Sequence, residues 1–125
     1  MKVLDTDFLI SFLKGDTEAK RYFDGGDSYY ATTVINSYEV TYVTKGIHEK
    51  RRTKALDIFS NLYIHPLELE DALSASRIAS DLASKGQMIG TLDTLIAGIV
   101  KNKGCTLVTR DEHFKRVDDL DVERW

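Results

Sequence analysis

Apolar positions along this chain fall into short runs separated by stretches of helical spacing. Lys2 to Leu4 is a short apolar run that ends at Asp5 and reads as a strand. Phe8, Leu9, Phe12 and Leu13 then recur at helical intervals, with Gly15 as the stop. Asp16-Thr17-Glu18 opens a second short helix that Gly25-Gly26 closes, and Tyr29 to Thr32 reads as a strand. Thr33 is placed to cap a helix that runs through Lys45, with Gly46 beyond it. His48 to Leu62 predicts a polar-faced helix with Ala55, Ile58, Phe59 and Leu62 on one side. Tyr63 to His65 predicts a short strand before Pro66, the only proline. Glu68 to Ser84 repeats apolar residues with helical period and stops at Gly86, and Thr91 to Lys103 does the same. Cys105 to Val108 predicts a strand, Glu112 to Arg116 a turn of helix, and Val122 with its neighbours a final edge strand. This alternation, without a long linker or internal repeat, predicts an α/β domain with a mostly parallel sheet covered on both faces.

Composition narrows the class. The 125 residues fit one domain spanning 1–125, and 42% apolar content suffices for a core. The single cysteine, Cys105, permits no internal disulfide and offers no zinc framework. A charge at residue 5 argues against a signal peptide. No apolar run approaches the ~18 residues of a membrane span. The expectation is a cytoplasmic protein with no membrane association.

The net charge of −3 is not that of a protein gripping nucleic acid by bulk electrostatics. Four carboxylates at the edges of apolar runs change that picture: Asp5, Glu39, Asp93 and Asp111. Setting them aside turns the balance from −3 to +1. Burying an unpaired charge is costly, and a cluster of such groups is resolved by a hard divalent cation with oxygen ligands. In open α/β sheets, ligands bind beyond the carboxyl ends of the strands. Asp5 ends the first strand, Asp111 follows a late one, and Asp93 opens a helix where the backbone dipole favours an anion. Glu39 falls within a helix on the face of Ile35 and Tyr42, half-buried and in need of a partner. Each also has a plainer reading: Asp93 as a first-turn residue, Asp111 as a helix cap, Glu39 as a surface charge. Asp5 has few structural uses.

Taken together the motifs resemble those of PIN-domain ribonucleases, in particular the small VapC-like toxins of prokaryotic toxin–antitoxin pairs. Val3 to Ile10 resembles the opening motif, Ser37-Tyr38-Glu39-Val40 the second, Ile89 to Ala97 the third and most specific, and Leu107 to Phe114 the fourth. Asp7 departs from the pattern, standing where the family often has Asn or Ser.

The resemblance implies a three-layer α/β/α sandwich and an endoribonuclease using Mg2+ or Mn2+. Asp5 and Asp93 would ligate the metal, with Glu39 and Asp111 as further ligands or their supports, and Thr6, Asp7 and Thr109 supporting. In such a site one or two ions activate water and absorb charge on the phosphoryl oxygens. It also implies an RNA substrate, a cognate antitoxin and a homodimer. The large apolar residues of the first helices, Phe8, Ile10, Phe12, Leu13, Tyr22 and Phe23, would supply surface for these partners.

Two rival readings stand beside it. Asp5-Thr6-Asp7 also fits the opening of haloacid-dehalogenase-like phosphatases, with Asp5 as nucleophile and Asp7 as general acid. A non-catalytic PIN-like interaction module is the other. Lesser features have plain readings. Lys45 to Lys54 is a basic stretch suited to phosphate or to solvent. Tyr29, Tyr30, Tyr38 and Tyr42 are read as strand and core residues rather than base-stacking ones. His48, His65 and His113 lack ligand spacing, Cys105 reads as a packed thiol, and Asp118 to Asp121 as an acidic surface run.

Overall fold

The computed structural model describes residues 1–26, 29–45 and 49–125. Among these residues five strands form a single sheet: β1 (Lys2–Leu4), β2 (Tyr30–Thr33), β3 (Tyr63–His65), β4 (Thr106–Val108) and β5 (Asp121–Glu123). Their spatial order is β3-β2-β1-β4-β5, and every pairing is parallel. Parallel neighbours need crossover connections, and helices supply them. These are α1 (Thr6–Leu13), α2 (Thr17–Asp24), α3 (Val34–Thr44), α4 (Glu49–Ser60), α5 (Leu69–Ser84) and α6 (Thr91–Asn102), with a 3-10 turn at Glu112–Arg116.

Strand alternation builds two cores. Successive side chains point to opposite faces of a sheet. Val3, Ala31 and Leu107 pack on one side with Ile78 and Leu82 of α5 and Ile96, Ala97 and Val100 of α6. Leu4, Tyr30 and Val108 pack on the other with Phe8 and Leu9 of α1, Ala19 of α2, Val40 of α3 and Ala55 of α4. The result is the three-layer sandwich expected from sequence. Helices α5 and α6 form a hairpin so close that a Cβ on Gly98 would lie 2.6 Å from the Asp71 carbonyl oxygen and 2.8 Å from the Ala75 Cβ. Gly15 and Gly86, predicted as helix stops, both adopt left-handed backbone.

Some expectations are corrected. Tyr29 lies outside β2 and is 88% exposed, and Cys105 precedes β4. Helix α4 ends at Ser60, not Leu62, because Asn61 and Leu62 turn the chain into β3. The helix stop at Gly46 and the helix start at His48 fall outside the described residues. Of the four tyrosines assigned to the core, only Tyr30 is buried; Tyr38 and Tyr42 are 57% and 69% exposed and stack on each other along α3. Of the apolar residues of the first helices, Phe8 is fully buried, while Ile10, Phe12, Leu13, Tyr22 and Phe23 are partly buried against the core. Phe8, Phe12, Tyr22, Phe23 and Tyr30 form a continuous aromatic cluster that Trp125 joins edge-on to Phe8. Among the described residues no helix is long and apolar enough to cross a membrane.

The topology decides where chemistry can sit. From β1 the chain moves outward through β2 to β3, then returns to place β4 on the other side of β1. The switch point therefore lies beyond the carboxyl ends of β1 and β4, where open sheets bind ligands.

Candidate active site

Asp5 directly follows β1 and occupies the N-cap of α1. Its backbone is spent on structure: the N–H donates to the Val108 carbonyl at 3.1 Å, and the carbonyl accepts from Leu9 N–H at 3.1 Å. Its carboxylate does not cap the helix. One oxygen, Oδ2, accepts from the Thr109 hydroxyl at 2.7 Å, and Oδ1 accepts from Asn36 Nδ2 at 2.9 Å. The residue is only 5% exposed. Burial, the largest cause, pushes the carboxyl up to about 7; the Thr109 hydrogen bond opposes this and the neighbouring charge of Asp7 adds to it.

Asn36 leads from Asp5 to Glu39. The same Nδ2 donates to the Thr6 hydroxyl oxygen at 3.0 Å, and that hydroxyl donates to Glu39 Oε1 at 2.7 Å. On the other side, the Thr33 hydroxyl donates to Asn36 Oδ1 at 2.6 Å. Glu39 is half-buried, as its face of α3 predicted, and its partner is Thr6. Tyr42, expected on that face, points to solvent instead.

Thr109 leads from Asp5 to Asp111. Its oxygen accepts from the Asp111 N–H at 3.0 Å. Asp111 caps the 3-10 turn by accepting from His113 N–H at 2.9 Å, and it also pairs with the His113 ring at 3.1 Å. The helix-cap reading of Asp111 holds, and the cap leaves the residue beside Thr109 on the loop after β4. Asp93 sits half-buried in the first turn of α6. Burial holds its carboxyl above the usual range, followed by the charges of Glu39 and Asp111, with His113 pulling the other way. Glu39, Asp93 and Asp111 thus share one electrostatic field, and the hydrogen-bond net ties Asp5 to Glu39 and to the Asp111 loop.

Asp7 is a fastener. Its Oδ1 accepts from Phe8 N–H at 2.9 Å and its Oδ2 from Arg110 N–H at 3.3 Å, which ties α1 to the loop after β4. Both its oxygens are occupied by backbone donors, a poor arrangement for a general acid. Arg110 in turn stacks on the Trp125 ring at 3.5 Å, donates to the Trp125 carbonyl and pairs with Glu18.

Among the described residues, no lysine or arginine pairs with Asp5, Glu39, Asp93 or Asp111. Negative charge without a lysine or arginine partner, carried entirely on oxygen, suits a hard divalent cation. As the side chains stand, no three of the described His, Cys, Asp or Glu residues form a ready cage for an ion. The donor set fits a metal in chemistry, while the carboxylates stand apart. Asn36 is the site residue that the sequence reading missed. The available signal was an amide three residues after the Thr33 cap and three before Glu39, inside an otherwise core-directed turn.

The comparisons with known proteins agree with this fold. The family model described as PIN domain matches residues 2–120. The chain is 29% identical to Ribonuclease VapC1 of Rickettsia felis, covering 96% of this chain and 92% of that protein. It is 27% identical to the tRNA(fMet)-specific endonuclease VapC of Salmonella typhimurium, covering 98% and 96%. The solved structure of VapBC2 from Rickettsia felis bound to a promoter DNA fragment superposes with a TM-score of 0.87 at 27% identity, covering 99% of this chain and 98% of that one. The match leaves no place for the haloacid-dehalogenase-like reading: this chain belongs to the PIN domain family.

Proposed function

We propose that this protein is a metal-dependent endoribonuclease acting as the toxin of a toxin–antitoxin pair, with Mg2+ or Mn2+ as its ion. The observation that supports the reading is the hydrogen-bond net that links Asp5 to Glu39 and to the Asp111 loop, with the charges of Glu39 and Asp111 acting on Asp93, at the switch point of a PIN sheet. Family membership supplies the reaction class, since VapC nucleases of the PIN family are metal-dependent hydrolases of RNA. Asp5 and Asp93 would hold the ion, with Glu39 and Asp111 completing or supporting its shell. A divalent ion there supplies positive charge toward a phosphodiester and makes water acidic enough to serve as nucleophile near neutral pH.

The chain's own contribution is placement. Thr109 and Asn36 fix the Asp5 carboxylate, Thr6 fixes Glu39, and Thr109 anchors the Asp111 backbone. Low solvent access at Asp5 strengthens each of these interactions. Asp7 holds the loop that carries Asp111 against α1. Without an ion, the net negative site repels RNA, so substrate binding and ion binding are coupled.

The solved relative is a VapBC complex, which supports an antitoxin partner. A groove of about 430 Å³ lined by Phe12, Leu13, Lys20, Lys54, Asp57 and Ile58 offers an apolar floor and a charged rim to an amphipathic helix from it. The outer face of α3, with Val34, Tyr38 and Tyr42 exposed, suits a second copy in a homodimer. The place of action would be the cytoplasm.

The test is cleavage of a defined RNA by purified protein. EDTA should abolish it and added Mg2+ or Mn2+ should restore it. Undiminished cleavage in excess EDTA defeats the metal reading. Absence of cleavage with metal, across structured and single-stranded RNAs, leaves a non-catalytic PIN module.

A further inference from the structure

The fully buried Asn36 side chain performs more bonds than α3 requires of it. The helix is already capped, because the Thr33 hydroxyl oxygen accepts from Asn36 N–H at 3.1 Å. A core position in a helix is served by an apolar side chain, and a buried amide is costly unless all its groups are paired. Here they are paired outward from α3. The Thr33 hydroxyl fixes Oδ1, which turns both Nδ2 hydrogens to Asp5 Oδ1 and Thr6 Oγ1. These partners lie 31 and 30 residues away in the chain. Because Thr6 Oγ1 accepts from the amide, its single proton is free to go to Glu39 Oε1. Of the side chains that fit this space, only an amide offers one acceptor and two donors. Serine and threonine carry one donor, and an ionised aspartate carries none.

We propose that Asn36 is a positioning residue that sets Asp5 and Glu39 at a fixed separation, so that both can address one divalent ion. This rests on the metal-dependent reading above. One amide and one hydroxyl span two carboxylates that would otherwise move apart by repulsion when no ion is present. The ion then meets a set of ligands whose ordering cost has been met during folding, as outer-shell hydrogen bonds do for metal ligands generally.

The test is direct uptake of Mn2+ by purified, EDTA-stripped protein, read from loss of the free Mn2+ paramagnetic resonance signal, with RNA cleavage measured in parallel. Asn36→Ala should weaken Mn2+ binding by about 10- to 100-fold, the range for lost outer-shell partners. The Mn2+ concentration giving half-maximal cleavage should rise by a similar factor, and saturating Mn2+ should restore most of the rate. A purely structural role would lower the melting temperature and the active fraction but leave both constants unchanged. Thr6→Val, nearly the same shape, severs only the Glu39 arm; it should move both constants the same way by a smaller factor, and it keeps the test alive if Asn36→Ala does not fold. Wild-type constants in folded Asn36→Ala, or in Thr6→Val, overturn the proposal. If the wild type binds Mn2+ but cleaves no RNA, the ribonuclease reading fails while the binding constants still decide for or against Asn36.

Discussion

Replacing Asp5 with asparagine should stabilise the metal-free fold while removing activity. The buried carboxyl is pushed from 3.8 to about 7, so above neutral pH the folded state must hold, out of water, a charge that the unfolded chain carries in water. The sign follows from linkage. The folded protein binds the Asp5 proton more tightly than the unfolded chain, so its stability falls as pH rises from the unfolded pKa toward the folded one. At ~1.4 kcal/mol per unit, a rise of about three units is worth at most ~4 kcal/mol above pH 7. Asparagine keeps the shape and can offer its oxygen to Asn36 Nδ2 and its amide to the Thr109 oxygen. Two charge-assisted hydrogen bonds become neutral ones, a loss of about 0.5–1.5 kcal/mol each. The expected net gain is therefore about 1–3 kcal/mol at pH 8. Urea melts in EDTA from pH 4.5 to 8.5 would measure it. The gap between Asp5→Asn and wild type should be widest above pH 7 and close toward pH 4. Adding Mn2+ should reverse the ranking, because ion binding stabilises only the protein that retains its ligand. An Asp5→Asn protein that is less stable than wild type at pH 8, or a gap that does not change with pH, would refute the reasoning.

Three further outcomes follow from other contacts. Asp93→Asn should cut metal-dependent RNA cleavage at least ~100-fold with the melting temperature unchanged or raised, since Glu39 and Asp111 already oppose its charge; near-normal turnover at limiting metal would remove it from the ligand set. Gly98→Ala should cost ~1–3 kcal/mol in urea denaturation, because the new methyl meets the Asp71 carbonyl and Ala75 and must force α5 and α6 apart. Asp71→Ala should cost ~2–4 kcal/mol, since the buried carboxylate accepts from Glu68 N–H and Asn102 and pairs with Lys103. Although burial alone would raise it, those partners hold the Asp71 carboxyl below its usual range, so its contribution is present above pH 4 and should be lost on acidification in scans of wild type against variant.

Element types were legible because period-2 and period-3.6 patterns rarely coincide here. The caps were legible for a similar reason: Thr33, Asp16 and Asp111 all bond the backbone N–H groups that their positions predict. The candidate carboxylates stood out residue by residue because each sits at the edge of an apolar run. Asn36 was not, since nothing local distinguishes a bridging amide from a polar helix residue; its partners are assembled only by tertiary structure. The tyrosines of α3 misled for the opposite reason. Aromatic residues are usually placed by burial, and Tyr38 and Tyr42 are turned outward by a helix whose inner face is already filled by Val40, Asn36 and Thr44. The aromatic cluster shared by α1 and α2 was not legible, because it joins segments with no common period.

The bond from Thr109 to Asp5 closes a loop of 104 residues. Contacts of such separation form late, since chain entropy must be overcome before they contribute. On a ribosome, β1 emerges well before β4, so a growing chain carries Asp5 with no Thr109 or Asp111 to complete its surroundings. For a chain of a family that cuts RNA, the candidate site is therefore incomplete until β4 has been made. Stalled, truncated or nicked chains that lack β4 should be inert without any inhibitor, and the danger begins only with a finished fold.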